Sequence, residues 1–142
     1  MPRSLTDSEV DAFLDSKPGW MVFTSQGLDG FPHCVALGYF RDGSDIYLGG
    51  RDGTRKVKNV EANPKVCGLV ESGRSMKDIK GVMIQGNASI VRYPADFLRL
   101  SRVAARQRGT PESELPTEPR PGAVYIRVER VKIISWDYST DG

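Results

Sequence analysis

Apolar and polar positions along this chain change their period several times, and each change marks an element. Thr6-Asp7-Ser8-Glu9 has capping-box spacing, and Val10, Phe13 and Leu14 follow at i, i+3 and i+4, so a short amphipathic helix is predicted over 7–15, ended by Pro18-Gly19. Strand patterns then occupy 20–25, 31–40 and 45–49. Their connectors hold Asp29-Gly30 and Asp42-Gly43, which supply the positive φ that tight hairpins demand, so an antiparallel meander is expected. In the second strand His33, Val35, Leu37 and Tyr39 alternate with Cys34, Ala36, Gly38 and Phe40, and both sets contain apolar residues. A strand covered on both faces belongs in the middle of a barrel or sandwich. At Gly38 a barrel corner, a packed neighbour and a flat ligand all remain open.

The polar stretch 49–63, GGRDGTRKVKNVEAN, runs off the third strand and into a short helix over 54–62 that Pro64 stops. Two more strands follow at 65–71 and 81–92, joined by the exposed segment SGRSMKDIK, and Gly86 marks a bulge in the second of them. A helix over 95–108, with Pro94 before its first turn, turns Phe97, Leu100, Val103 and Ala104 inward. Arg99, Arg102 and Arg106 share another face, either as solvated charges or as receivers of an anionic tail. The segment 109–122 carries prolines at 111, 116, 119 and 121 and reads as a loop that covers a site or spans the molecule. In the last strand, 123–138, Val124, Ile126 and Val128 keep one phase and Val131 and Ile133 the other, which predicts a bulge near 129–130. Six strands with a few short helices make a mainly β (α+β), six-stranded antiparallel barrel, one domain over 1–142.

Composition narrows the function. Twenty Lys and Arg stand against eighteen Asp and Glu, a balance too even for general nucleic-acid binding, so any basic function is local. The N-terminal residues are polar and no stretch reaches the ~18 apolar residues of a membrane span, so no membrane partner and a cytoplasmic location are expected. Cys34 and Cys67 lie in strand patterns and read as two buried thiols, and with His33 as the single histidine no metal site is expected. His33 reads as a packed or cavity-lining residue. There is no Ser, His and acid arrangement, no G-x-S-x-G elbow, no G-x-G-x-x-G and no Walker loop, so no catalytic side chain is assigned. Chemistry would then rest on a cofactor, with the protein holding its phosphate. The strand end, turn and helix start at 49–63 offer backbone N–H groups, a favourable helix dipole and cations for that purpose.

The run IYLGGRDGTRKVKNVEANPKVCGLVE, followed by GVMIQGNASIV, resembles the core of the pyridoxamine 5'-phosphate oxidase-like split β-barrel family, and the similarity extends from DGFPHCVALGYF to the final SWD. The resemblance implies an FMN-binding split barrel, and an oxidoreductase using FMN or the deazaflavin coenzyme (F-420) on a small planar or unsaturated substrate. It also implies a homodimer with the cofactor at the interface. In this family's pattern Thr54, Arg55 and Lys56 hold the cofactor phosphate, Gly49 and Gly50 stand at the strand end with Arg51 beyond them, Cys34, Val35 and Ala36 run beside the ring, and Asn59 takes the place of the Asn in K-x-x-N. Lys58 adds to the basic path, and Trp136 stands either as a wall of the site or as packing. The oxidases' Arg and Lys on the second strand are missing from Cys34–Phe40, Gly81 stands where they have a Gln, and their basic C-terminal segment has no counterpart. The namesake reaction is therefore not expected. A non-catalytic flavin- or haem-binding module is the alternative.

Overall fold

A computed structural model describes residues 2–139. The first helix, α1 (Asp7–Asp15), starts as its sequence dictates: the Thr6 hydroxyl accepts from the Glu9 N–H, and the Glu9 carboxylate accepts from the Thr6 N–H. Arg3 donates two further bonds to that carboxylate, at 2.8 and 3.0 Å, and the set holds the Glu9 carboxyl down to about 2.

Seven strands follow rather than six: β1 (Met21–Gln26), β2 (Pro32–Leu37), β3 (Tyr39–Asp42), β4 (Asp45–Arg51), β5 (Lys65–Ser72), β6 (Lys80–Val91) and β7 (Ala123–Asp137). The strand expected over 31–40 is two strands that meet at Gly38. β2 pairs with β1 and β3 pairs with β4, at opposite ends of the sheet order β2-β1-β5-β6-β7-β4-β3. One continuous strand cannot serve both ends, so the chain turns a corner at Gly38, where an added Cβ would stand 3.6 Å from the Trp20 ring. Two edge strands consecutive in the chain bring the ends of the curled sheet together, and the result is a split antiparallel barrel. This placement also corrects the expectation of a mid-sheet β2. It is an edge strand, with Cys34 and Ala36 exposed and His33, Val35 and Leu37 half-buried.

Two cores hold the sheet. Inside the curl lie Leu14, Met21, Phe23, Ile46, Leu48, Val60, Ile84 and Ile126; burying a side chain such as Phe23 is worth roughly 1.5–3 kcal/mol. On the outer side α3 (Pro94–Gln107) sets Phe97, Leu100 and Ala104 on Phe40, Tyr47 and Tyr125, with Phe97 stacked on Tyr125 at 4.6 Å between centroids. Gly86 faces Arg130 while Gln85 faces Lys132, so Val131 is the extra residue of a bulge in β7. The Glu129 carbonyl passes 2.5 Å from where a Cβ on Gly86 would be, which requires glycine there. The segment 109–122 packs back through a 3₁₀ turn (Glu112–Glu114) and the buried Leu115.

Candidate functional site

The stretch around Thr54 becomes a turn between β4 and α2 (Arg55–Ala62). Thr54 is the N-cap residue, yet its hydroxyl donates back to the Arg51 carbonyl at 2.8 Å, and no side chain caps the helix. The first N–H groups of α2 have no intrahelical acceptor by geometry. Arg55, Lys56 and Lys58 add positive charge at the end that the dipole already makes positive, and no acid stands in the first turn. α1, with a full capping box and Asp7 and Glu9 in its first turn, shows the ordinary arrangement.

Lys56 arches over Gly50: a Cβ on that glycine would meet Lys56 Cε at 2.9 Å. Arg55 is largely exposed and reaches only to 4.0 Å from Asp29, in the β1–β2 hairpin. Thr54, Arg55, Lys56 and Gly50 thus come together beside the hairpin that leads into Cys34, Val35 and Ala36. Gly49 faces the opposite side of β4 from Gly50, and the Arg51 guanidinium lies against Gly122 rather than in the turn. Asn59 is fully buried beneath α2, where its Nδ2 donates to Ser25 Oγ at 3.2 Å and its Oδ1 has no partner among the described residues. Ser25 in turn faces His33 across the β1–β2 ladder.

Arg92 holds this turn and was not singled out by sequence. From the end of β6 it donates to Asp52 at 2.8 and 3.0 Å and to Glu61 at 2.7 Å, tying both ends of the turn-and-helix unit to the sheet. The Arg92 guanidinium holds the Asp52 carboxyl below its usual range. The partners are 40 and 31 residues away, so no local pattern announces them.

Other sequence readings resolve differently. Arg99 pairs with Asp42, Arg102 donates to the Pro116 carbonyl and Arg106 pairs with Glu112, so the three arginines hold the outer layer together. Cys34 is exposed and Cys67 half-buried, not the two buried thiols expected, because β2 and β5 turn these positions to the uncovered outer face. Burial pushes the Cys67 thiol up, and the nearby Cys34 adds to the shift. Trp136 lies over Gly81 on the same face. Among the described residues no helix is long and apolar enough to cross a membrane, and no group of three His, Cys, Asp or Glu is placed to hold a metal ion.

Comparisons agree with this architecture. The chain is similar in structure to Rv2991, a conserved hypothetical protein from Mycobacterium tuberculosis, with TM-score 0.81 and 23% identity over 94% of this chain and 86% of that one. An FAD-binding protein from Mesorhizobium loti aligns with TM-score 0.68 and 20% identity over 95% of each chain. An F420 reductase aligns with TM-score 0.62 and 20% identity over 82% of this chain and 89% of that one. No protein of curated function matches the sequence. The sequence profile described as Pyridoxamine 5'-phosphate oxidase matches residues 6–135, nearly the whole chain, and the protein therefore belongs to the pyridoxamine 5'-phosphate oxidase family of split barrels.

Proposed function

We propose that this protein is an oxidoreductase that holds FMN or the deazaflavin coenzyme by its phosphate at the start of α2 and passes a hydride between that cofactor and a small planar or unsaturated substrate. The observation that carries the reading is the uncapped, cation-rich helix start, an arrangement unfavourable by itself and relieved by an anion. Arg55 offers a planar fork to phosphate oxygens, Lys56 a point charge above Gly50, and the helix N–H groups complete the shell. The ring supplies the hydride chemistry when bound; the chain binds, orients and shields it. Relatives that include an FAD-binding protein and an F420 reductase support a cofactor of this type.

The outer face supports a homodimer. Ala36, Val22, Leu69, Met83 and Ile134 form one apolar row across five strands, and no described element covers it. A second copy packed on this row would bury it and set Cys34 and Ala36 at the interface.

Titration of the purified protein with each cofactor tests the reading. The expected dissociation constant for one of them is below ~100 μM, about −5.5 kcal/mol. Replacing Arg55 and Lys56 together by Ala should weaken that binding at least ~10-fold, about 1.4 kcal/mol, with an unchanged circular dichroism spectrum. If the wild-type protein binds neither cofactor at this level, the reading fails.

A further inference from the structure

α2 has neither a side-chain cap nor an acid in its first turn, whereas α1 has both and α3 has Asp96. An acid is nonetheless close by in sequence. Asp52 stands two residues before the N-cap Thr54, with Gly53 alone between them. A carboxylate is the usual partner for free helix N–H groups and for the positive end of the dipole. Gly53, at a φ of 80°, lets the backbone between Asp52 and the helix turn without a side-chain penalty.

Asp52 is engaged elsewhere. Arg92 Nε donates to its Oδ2 at 2.8 Å and Arg92 Nη2 to its Oδ1 at 3.0 Å, so both carboxylate oxygens are taken by one planar fork. The same Nη2 donates to Glu61 Oε2 at 2.7 Å, in the last turn of α2, where an unpaired carboxylate would oppose the dipole. The helix is fastened to the sheet without these bonds: Val57 and Val60 are buried beneath it, and the fully buried Asn59 donates to Ser25 Oγ at 3.2 Å. The side chains of Arg92, Asp52 and Glu61 are 42, 43 and 46% exposed, and ion pairs so open to water add little to stability. What the fork fixes is where the Asp52 carboxylate points.

We infer that Arg92 is a positioning residue for the phosphate site: it withholds Asp52 from the start of α2 and so leaves that start open to an external anion. The inference rests on reading the start of α2 as a phosphate site. Without Arg92, Asp52 caps the helix itself and competes with phosphate for the same N–H groups, and Glu61 adds a second uncompensated negative charge. Arg92 touches neither phosphate nor ring; it acts through Asp52.

The test follows the backbone amide resonances of Arg55, Lys56 and Val57 in nitrogen-15-labelled full-length protein, first free of ligand and then titrated with inorganic phosphate. In the free protein Arg92→Gln should shift these three resonances and slow their exchange with solvent, as capping by Asp52 requires. Adding Asp52→Ala to that variant should return them to near their wild-type state. In the titration Arg92→Gln should weaken phosphate ~5-fold, the size of one charge at a helix start, and the double variant should regain wild-type affinity to within ~2-fold. Arg92→Lys, which keeps the charge without the fork, should fall between. Arg127→Gln, which breaks a pair with Asp45 at the far end of β4, should leave both readouts as they were. Asp52→Ala alone, with Arg92 untouched, should bind phosphate at least as well as wild type. A double variant no better than Arg92→Gln, or a loss of phosphate affinity in Asp52→Ala, overturns the inference, because Asp52 would then support the site rather than compete with it. Wild-type protein that binds no phosphate overturns the site itself, while the ligand-free spectra still decide whether Asp52 caps α2 once Arg92 is gone.

Discussion

The outer surface of the sheet has two halves, one aromatic and one with an aliphatic row, and they differ in what covers them. Over β3, β4 and the first part of β7, α3 buries Phe40, Tyr47 and Tyr125. Over β2, β1, β5, β6 and the end of β7, no helix of the described residues lies on the row from Ala36 to Ile134, whose side chains are half-buried or exposed. Apolar side chains alternate on both halves, so the alternation states only that a face is to be covered. Whether a helix of the same chain or another molecule does the covering is decided by where the chain goes next.

The largest expected effect breaks the covered half. Phe40→Ala removes a ring stacked on Tyr47 at 5.4 Å and should cost about 3–5 kcal/mol in denaturant unfolding. On the uncovered half the same logic predicts little cost to the fold: Ala36→Arg, at an exposed edge position, should change monomer stability by no more than ~0.5 kcal/mol. It should nonetheless turn a dimer into a monomer in sedimentation velocity; a wild-type protein that sediments as a monomer would show that this half is not a dimer face. The smallest effect concerns α1, which packs beside β3 through the Tyr39 hydroxyl donated to the Leu14 carbonyl. Glu9 has a folded carboxyl at about 2, against an ordinary unfolded value near ~4.3, so its stabilisation is complete above ~4.3 and is lost as pH falls towards 2. Glu9→Gln should therefore melt below wild type at neutral pH, and the two curves should converge near pH 2.

What could be read from sequence follows the range of the interactions. The α1 cap, the Gly30 and Gly43 turns and the cation-rich turn at Thr54 depend on residues within a few positions of each other, and all stand where their patterns put them, whereas the bulges expected at Gly86 of β6 and near 129–130 are one irregularity, with Val131 of β7 as the extra residue opposite Gly86. A barrel corner at Gly38 is one of the readings the sequence leaves open, but Leu37 and Tyr39 keep the strand's alternation across it, and only pairing with β1 on one side and β4 on the other reveals two strands. Asn59 stands at the motif's Asn position, and its hydrogen bond to Ser25, 34 residues away in sequence, has no local signal.

The corner at Gly38 also dictates an order of assembly. The β3–β4 hairpin joins the rest of the sheet only through β7, whose partners Ile46 and Val128 are separated by most of the chain. On a ribosome both edges of the barrel are made early and must wait, tethered at one glycine, until the last strand is synthesised. Closure is therefore a late, long-range step, and folding belongs with the slow, high-contact-order barrels rather than with helical domains of this size. Until it happens, the nascent protein carries open strand edges of the kind that pair with other chains.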